Sequence, residues 1–375
     1  MKVGVGFSCK DDPILAGKLA VRQALDLTGE PAITFLFCTA NYDQETVYKS
    51  VKEVIGKSKL IGGSTAGVIT AQGVFEKGVG ICAIEKSGIE AQTLVISPEE
   101  IKSLPECSLM EKKLRDFTVD SGTLFIFTDC SCDNMPLILR RIYNILGLDF
   151  TYIGGGTGDS LSFSGAHQFT ERGVEVGSIA VALLRGIKFT VGIGHGWMPW
   201  GEPMIVTRSS GKIVYEIDGF PAFDVYSKNL ALKDKNEFAF FGMKYPFGMP
   251  CAGTNFLIRD PIGVNEDGSI RLVSEIPQNS AISLMKGNLE SFINTAEEVA
   301  KRVILSQPKP RAIFLFDCVS RYLLMKKDFE KELKTVMSIV GGDTPVLGML
   351  TFGEIGAYSS VPLFHNKTMV VAAGW

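Results

Sequence analysis

Arg321 directly follows the apolar run in AIFLFDCVSR, and Glu354 lies in the glycine-rich segment VLGMLTFGEIG. In an α/β sheet the carboxyl ends of strands collect ligands, and both residues lie just past such ends. A guanidinium grips a carboxylate or phosphate through two parallel N–H donors, and a carboxylate suits an amino group. Together the two would hold both ends of an amino acid. Their structural alternative is an internal Arg–Glu pair tying two loops. His365, Asn366 and Thr368, in FHNKT before the final apolar run, add an imidazole, an amide and a hydroxyl. They are candidate ligand contacts, or else a turn that starts a strand.

Two thiols come next. Cys130 in DCSCD and Cys318 in FDCVSR each follow an apolar run. A thiol at a helix start can ionise more readily and react. Paired with His365 as base, Cys130 or Cys318 would make a cysteine-dependent hydrolase or transferase. The only histidines are His167, His195 and His365, none at metal-ligand spacing to the cysteines. No metal and no cofactor are therefore expected. Ser64-Thr65 and Thr157-Gly158-Asp159 lie in glycine-rich segments whose amides could face an anion. No lysine follows at P-loop spacing, and IGGGTG does not open a dinucleotide-binding unit. Tight turns would account for the same glycines. His195, in GIGHGWMPWGEP, reads either as part of an aromatic lid or as a turn packing its tryptophans on a neighbour.

These residues belong to one cassette that occurs three times. AITFLFCTA leads to KLIGGSTAGVI, TLFIFTDCSCD to YIGGGTGDS, and AIFLFDCVSR to VLGMLTFGEIG. Each copy reads as an apolar strand, a helix, a second strand and a glycine-rich loop carrying Thr65, Thr157 or Thr351. The leading strands are apolar on both faces, as in a covered α/β sheet. The cassette helices show apolar faces at Val47, Val51 and Val54, at Met135, Ile138, Ile142 and Ile145, and at Phe329, Leu333, Val336 and Val340. They end at Gly56, Gly147 and Gly341, and Asp133 is placed to cap the second. Another helix opens with Asp12 and Pro13 and turns Leu15 and Leu19 inward. A further one starts at Asn288 and buries Leu289, Phe292, Ala296, Val299 and Val303. Paired strands turn at Ser87-Gly88 and Arg185-Gly186. The fold class is α/β, built from β-α-β-loop-β-β units forming mixed sheets flanked by helices. Two halves would stack in a helix-sheet-sheet-helix layering. A boundary falls at VYEIDGFPAFDVY, giving domains 1–217 and 218–375. The Pro- and Gly-rich segment 244–265 would wind over the surface or the site.

Bulk properties narrow the partners. The chain has 375 residues, 46% hydrophobic and 21% charged, with net charge -3. No basic tract offers itself to phosphates, so nucleic acid is not an expected partner. The opening MKVGVGFS lacks a signal-peptide core, and no apolar run reaches the roughly 18 residues of a membrane span. Scattered cysteines read as free thiols in a reducing compartment. The expected location is cytoplasmic, away from membranes.

The chain resembles the FIST proteins, named for F-box and intracellular signal transduction proteins. The resemblance rests on GGSTAG, on VYEIDGFPAFDVY, and above all on FLFDCVSR, GMLTFGEIG and FHNKT in that order. It implies an N-terminal and a C-terminal FIST domain forming a sensory module that binds a small molecule, with amino acids and their derivatives as candidates. The chain has no F-box, kinase, cyclase or methyl-accepting segment, so output would pass to a separate signalling protein. A pure protein-interaction module is the third reading. The sequence sets no oligomeric state.

Overall fold

The continuous apolar run of each cassette becomes the central strand of its own sheet. The computed structural model describes residues 1–375 apart from 103–107, 118–119, 162–164, 233, 252, 254 and 305–308. In the first sheet Pro31–Thr39 pairs parallel with Lys59–Thr65 and antiparallel with Val79–Glu85, beyond which lies Val3–Ser8. In the second, Gly122–Asp129 lies between Phe150–Thr157 and Ile179–Arg185, with Glu90–Ile96 at the edge. In the third, Ala312–Cys318 lies between Val346–Thr351 and Met369–Gly374, flanked by Phe189–Gly194. The strand order is the same three times.

Each sheet is completed by a hairpin from another cassette. His167–Thr170 and Gly173–Val176 finish the first sheet, Glu354–Gly356 and Leu363–His365 the second, and Val68–Thr70 and Gly73–Phe75 the third. Gly62, Gly63, Gly154, Gly155, Gly156 and Gly348, which prompted the loop reading, lie inside strands, while Gly67, Gly158 and Gly353 lie between them. A Cβ on Gly62, Gly154 or Gly348 would stand 1.8, 2.0 or 2.1 Å from the carbonyl oxygen of Leu36, Ile126 or Leu315. Glycine is required there because two backbones touch.

Sheet packs on sheet, and three sheets share the contact. Phe35, Phe125 and Phe314, one from each central strand, form a triangle with centroids 4.5–5.0 Å apart. Phe37, Phe127 and Phe316 form a second triangle at 5.4–6.1 Å. Such aromatic pairs add about 0.5–1.5 kcal/mol each beyond burial. The outer faces are covered by helices, including Pro13–Thr28 and Gln44–Ile55, Met135–Leu146, and Leu289–Ile304 with Phe329–Val340.

Two local expectations are corrected. The opening helix buries Ala16, Ala20, Val21 and Ala24, while Leu15 is exposed. Gly4 and Gly6 of the underlying strand let the helix approach so closely that a Cβ would meet the Ala24 and Ala20 carbonyl oxygens at 2.0 and 1.9 Å, leaving room only for small residues. The helix Met135–Leu146 starts after Asn134, in a left-handed conformation, and Asp133 pairs with Lys212 at 3.0 Å instead of capping it.

Strand Ile213–Ile217 leads through Asp218-Gly219 to helix Ala222–Leu230 at the expected boundary segment. A fourth sheet, of eight strands, is inserted between Phe189–Gly194 and helix Leu289–Ile304, running from Met198–Ser210 to Ala281–Lys286. The Pro- and Gly-rich segment supplies three of its strands, Phe247–Pro250, Phe256–Arg259 and Pro261–Val264.

Candidate functional site

Beyond the end of strand Ala312–Cys318 lies a cavity of about 270 Å³. Cys318, Ser320 and Asn366 provide polar groups from the third unit, and Cys130 reaches in from the second. Met243 and Ile262, from the inserted region, cover it. Its wall is mostly aliphatic and aromatic, which is how small-molecule sites are commonly built.

A file of buried polar side chains runs beneath this cavity. Glu354 is fully buried; its Oε1 accepts from the Thr351 hydroxyl at 2.7 Å and its Oε2 from the Thr368 N–H at 3.1 Å. Its charge also acts on the nearby Cys318 thiol. Cys318 Sγ lies 3.2 Å from Ser320 Oγ, which accepts from Lys367 Nζ at 3.2 Å, and Lys367 pairs with Asp260 at 3.0 Å. Burial pushes Glu354 up to about 8, against the pull of Thr351, Thr368 and Arg321. Burial, then the charge of Glu354, pushes Cys318 up to about 12. Burial likewise raises Asp260 against the attraction of Lys367. At neutral pH the centre of this file is a thiol beside a protonated carboxyl.

Asn366 stands apart from that file. Its Nδ2 donates to the His365 carbonyl at 3.0 Å, while Oδ1, buried in a residue 1% exposed, has no partner among the described residues. Buried acceptors are nearly always satisfied, so an unmatched one in a residue that lines a cavity is an exception to be accounted for.

Arg321 does not face the cavity. It is fully buried and donates to Asp317 Oδ1 at 3.0 Å, to Glu332 Oε1 and to the His195 carbonyl oxygen. Its guanidinium stacks near Phe292 and Trp197, at 5.0 and 5.6 Å. Burial opposes its charge, but Glu332 and Asp317 outweigh that and raise its pKa; burial raises both carboxyls in turn. The internal ion pair weighed above therefore exists with different partners, and the two-ended grip by Arg321 and Glu354 on one ligand does not.

The remaining candidates divide by location. His365 is buried, its Nε2 3.3 Å from the Gly356 carbonyl oxygen and its ring edge-on to Tyr358 at 5.2 Å. Burial pulls it down to about 3 and it does not line the cavity, so it is not the base for Cys130 or Cys318. The Thr368 hydroxyl donates to the Asn366 carbonyl at 2.8 Å. Ser64 and Thr65 tie the units together, whereas Thr157 bonds within its own: Ser64 Oγ accepts from the His167 N–H at 2.9 Å, and Thr65 donates to the Leu350 carbonyl at 2.7 Å. Thr157 donates to the Thr128 carbonyl at 2.9 Å. Asp159 lines a separate cleft with Tyr42, Gln44 and His167. His195 and the buried Trp197 line a polar cleft of about 510 Å³ with Ser291 and Arg302, rather than lidding the cavity. Ser320, Asp260 and Lys367 were not singled out by the sequence. Lys367, at φ 52° inside FHNKT, and Asp260, before Pro261, carried the only signals.

The comparisons with known proteins agree with this layout. A FIST N domain profile matches residues 32–219 and a FIST C domain profile matches residues 222–357. The chain belongs to the FIST family. FIST domains are sensory domains of signal-transduction proteins. The cavity draws on both FIST domains, since Cys130 lies in the N-domain match and Met243 and Cys318 lie in the C-domain match. Similar proteins include an uncharacterized protein of Methanocaldococcus jannaschii, 26% identical over 86% of this chain and 68% of its own length. An uncharacterized protein of Mycobacterium tuberculosis is 22% identical over 99% of both chains, and one of Mycobacterium bovis is 23% identical over 99% of this chain and 98% of its own. Among the described residues of this FIST protein, no helix is long and apolar enough to cross a membrane, and no group of three or more His, Cys, Asp or Glu could hold a metal ion.

Proposed function

We propose that this FIST protein senses a small amine of amino-acid size, an amino acid or a derivative of one, in the cavity between its two FIST domains. The observation that carries the reading is Asn366, a residue of the cavity wall whose buried Oδ1 has no partner among the described residues. An amino group donates to that oxygen, and an apolar side chain lies against Met243, Ile262, Leu323 and Phe352. Arg321 holds the surrounding fold instead of a ligand carboxylate. Occupancy braces helix Phe238–Lys244 and the segment around Asp260 against the third unit, and a separate signalling protein reads that surface. The setting is cytoplasmic.

The test is isothermal calorimetry of the full chain against leucine, phenylalanine, their amides and the matching amines. At least one should bind, and Asn366→Ala should weaken it by about tenfold, the cost of one buried hydrogen bond. Equal affinity in Asn366→Ala, or no binding by any member of the panel, overturns the reading.

A further inference from the structure

Four aromatic rings form a row on the inserted region. Trp200 lies 5.6 Å from Tyr245, Tyr245 stacks on Phe241 at 6.1 Å, and Phe241 meets Phe240 edge-on at 6.1 Å. Both ends of the row are open to solvent, Trp200 being 39% and Phe240 57% exposed. Each end carries a lysine over its ring: Lys286 Nζ stands 5.8 Å from the Trp200 ring centre, and Lys244 Nζ 4.2 Å from that of Phe240. Both lysines are exposed, and neither has an ion-pair partner among the described residues. They also line a cleft of about 290 Å³ whose apolar lining is Leu289, Phe292, Leu324 and Met325. Asp328, the one acidic residue lining that cleft among the described residues, is paired with Lys331 at 2.8 Å. The row shares a helix with the ligand cavity. Helix Phe238–Lys244 lends Ala239 and Met243, four residues apart, to the cavity, and Phe240, Phe241 and Lys244 to the row. A Cβ on Gly242 would stand 2.4 Å from the Pro261 carbonyl oxygen, so the helix rests directly on the strand that supplies Ile262 to the cavity.

We propose that this row is the docking surface for the signalling partner, which presents an extended acidic segment: its apolar side chains lie along the rings and its carboxylates meet Lys244 and Lys286. As the output face of the sensor, the row rests on the ligand site assigned above; as a peptide-binding surface it stands without it. Charge selects the occupant. Two cations without carboxylate partners border an apolar row and an apolar cleft, and an acidic segment with apolar side chains satisfies both. Each ammonium is already held over a ring, so little side-chain freedom is left to lose when a carboxylate arrives. Aromatic rings at the rim of a cleft are the side chains on which binding energy concentrates. Nucleic acid fits less well, because bases stack on free ring faces and the rings at both ends of this row carry a lysine. A ligand in the cavity touches one side of helix Phe238–Lys244 and the partner the other. The two binding events are coupled through that helix, and each changes the affinity of the other by the same factor.

The probe is a phage-displayed library of random short peptides selected on the full chain, with the recovered sequences synthesised and titrated by fluorescence anisotropy. They should be acidic, with apolar or aromatic residues between the carboxylates. Trp200→Ala and Phe240→Ala should each weaken their binding about tenfold. Lys244→Glu combined with Lys286→Glu should weaken it about a hundredfold. The same peptides with Asp and Glu replaced by Lys should bind the charge-reversed chain, a rescue that an unfolded variant cannot give. All four positions are at the surface, so the unfolding midpoints should stay where they are. An amine that binds the cavity should, at saturation, change peptide affinity by about fivefold or more. Recovered peptides without acidic residues, or acidic ones bound equally by Phe240→Ala and the charge-reversed chain, overturn the proposal. So does self-association that Phe240→Ala abolishes, which makes a second copy the occupant, or tighter binding of single-stranded oligothymidylate at the same row. Peptide affinity that a bound amine leaves unchanged overturns the coupling. Peptide binding without amine binding keeps the docking surface and removes the sensor reading, and amine binding without any selected peptide does the reverse.

Discussion

The second and third units differ most at one buried position that the strand registers align. Gln168 pairs with Gly63, Glu354 with Gly155, and in the first unit Val68 pairs with Met349; all three are fully buried. Gln168 donates to Thr157 Oγ1 at 2.7 Å, while Glu354 accepts from Thr351 Oγ1 at the same distance. One place in the fold thus holds an aliphatic, a neutral amide and an ionisable carboxyl. The first two close a junction between sheets, and the third sits beside a thiol and a cavity. A buried carboxyl is harder to keep than an amide in the same hole, so its presence in one unit out of three points to use rather than architecture.

The largest expected effects test the part of the comparison in which the units are alike. Phe35, Phe125 and Phe314 meet in one triangle, so Phe35→Ala, Phe125→Ala and Phe314→Ala should each destabilise the chain by about 3–5 kcal/mol. Denaturant titration of the three should give similar losses in one transition. A variant that unfolds only its own family domain would break the idea of a common core. Arg321→Ala belongs to the same range, about 3–5 kcal/mol, because it leaves Asp317 and Glu332 buried without their cation. That outcome differs from simple loss of a ligand contact, in which binding would fall while the unfolding midpoint stayed put.

Much of this was legible in the sequence. Apolarity on both faces of FLF, FIF and FLF marked buried central strands, and the 3.6-residue spacing from Phe329 to Val340 marked a covering helix. Hairpin exchange among the units was not, since register between segments about 100 to 280 residues apart leaves no local pattern. The site was half legible. Glu354, Cys318 and Asn366 stood out by type and position, whereas Arg321 looked like a ligand contact because no periodic pattern reveals that Asp317, near the end of the preceding strand, and Glu332, on the next helix, enclose it. Asp260 and the roof of the cavity come from the inserted sheet, whose approach to strand Ala312–Cys318 is purely tertiary.

A smaller effect sharpens the contrast at Glu354. Its folded pKa is raised from 4.5 to about 8, so folding takes up a proton between those values. The stability this gives is fully present below about pH 4.5 and is lost as pH rises through 8, a fall of about 2–4 kcal/mol. Asp317 and Glu332 are raised as well and add slope of the same sign. Glu354→Gln, which installs the second unit's residue, should remove the Glu354 share: less slope with pH, and a chain more stable than the parent at pH 8.5. Chemical denaturation between pH 5 and 9 measures it. An unchanged slope would mean that Glu354 keeps its charge when buried.

The smallest change in stability is expected at Cys318. Cys318→Thr gives the third unit the residue that the first unit carries at Thr39. The side chains are similar in volume, and the new hydroxyl can pair with Ser320 as the thiol does, so burial leaves no group unsatisfied and the unfolding free energy should shift by less than about 1 kcal/mol. Calorimetry should still find the amine bound, because Asn366 and the apolar wall are untouched. If Cys318→Thr instead unfolds the chain or abolishes amine binding, the thiol is part of the architecture, and the third unit is no more specialised than the first.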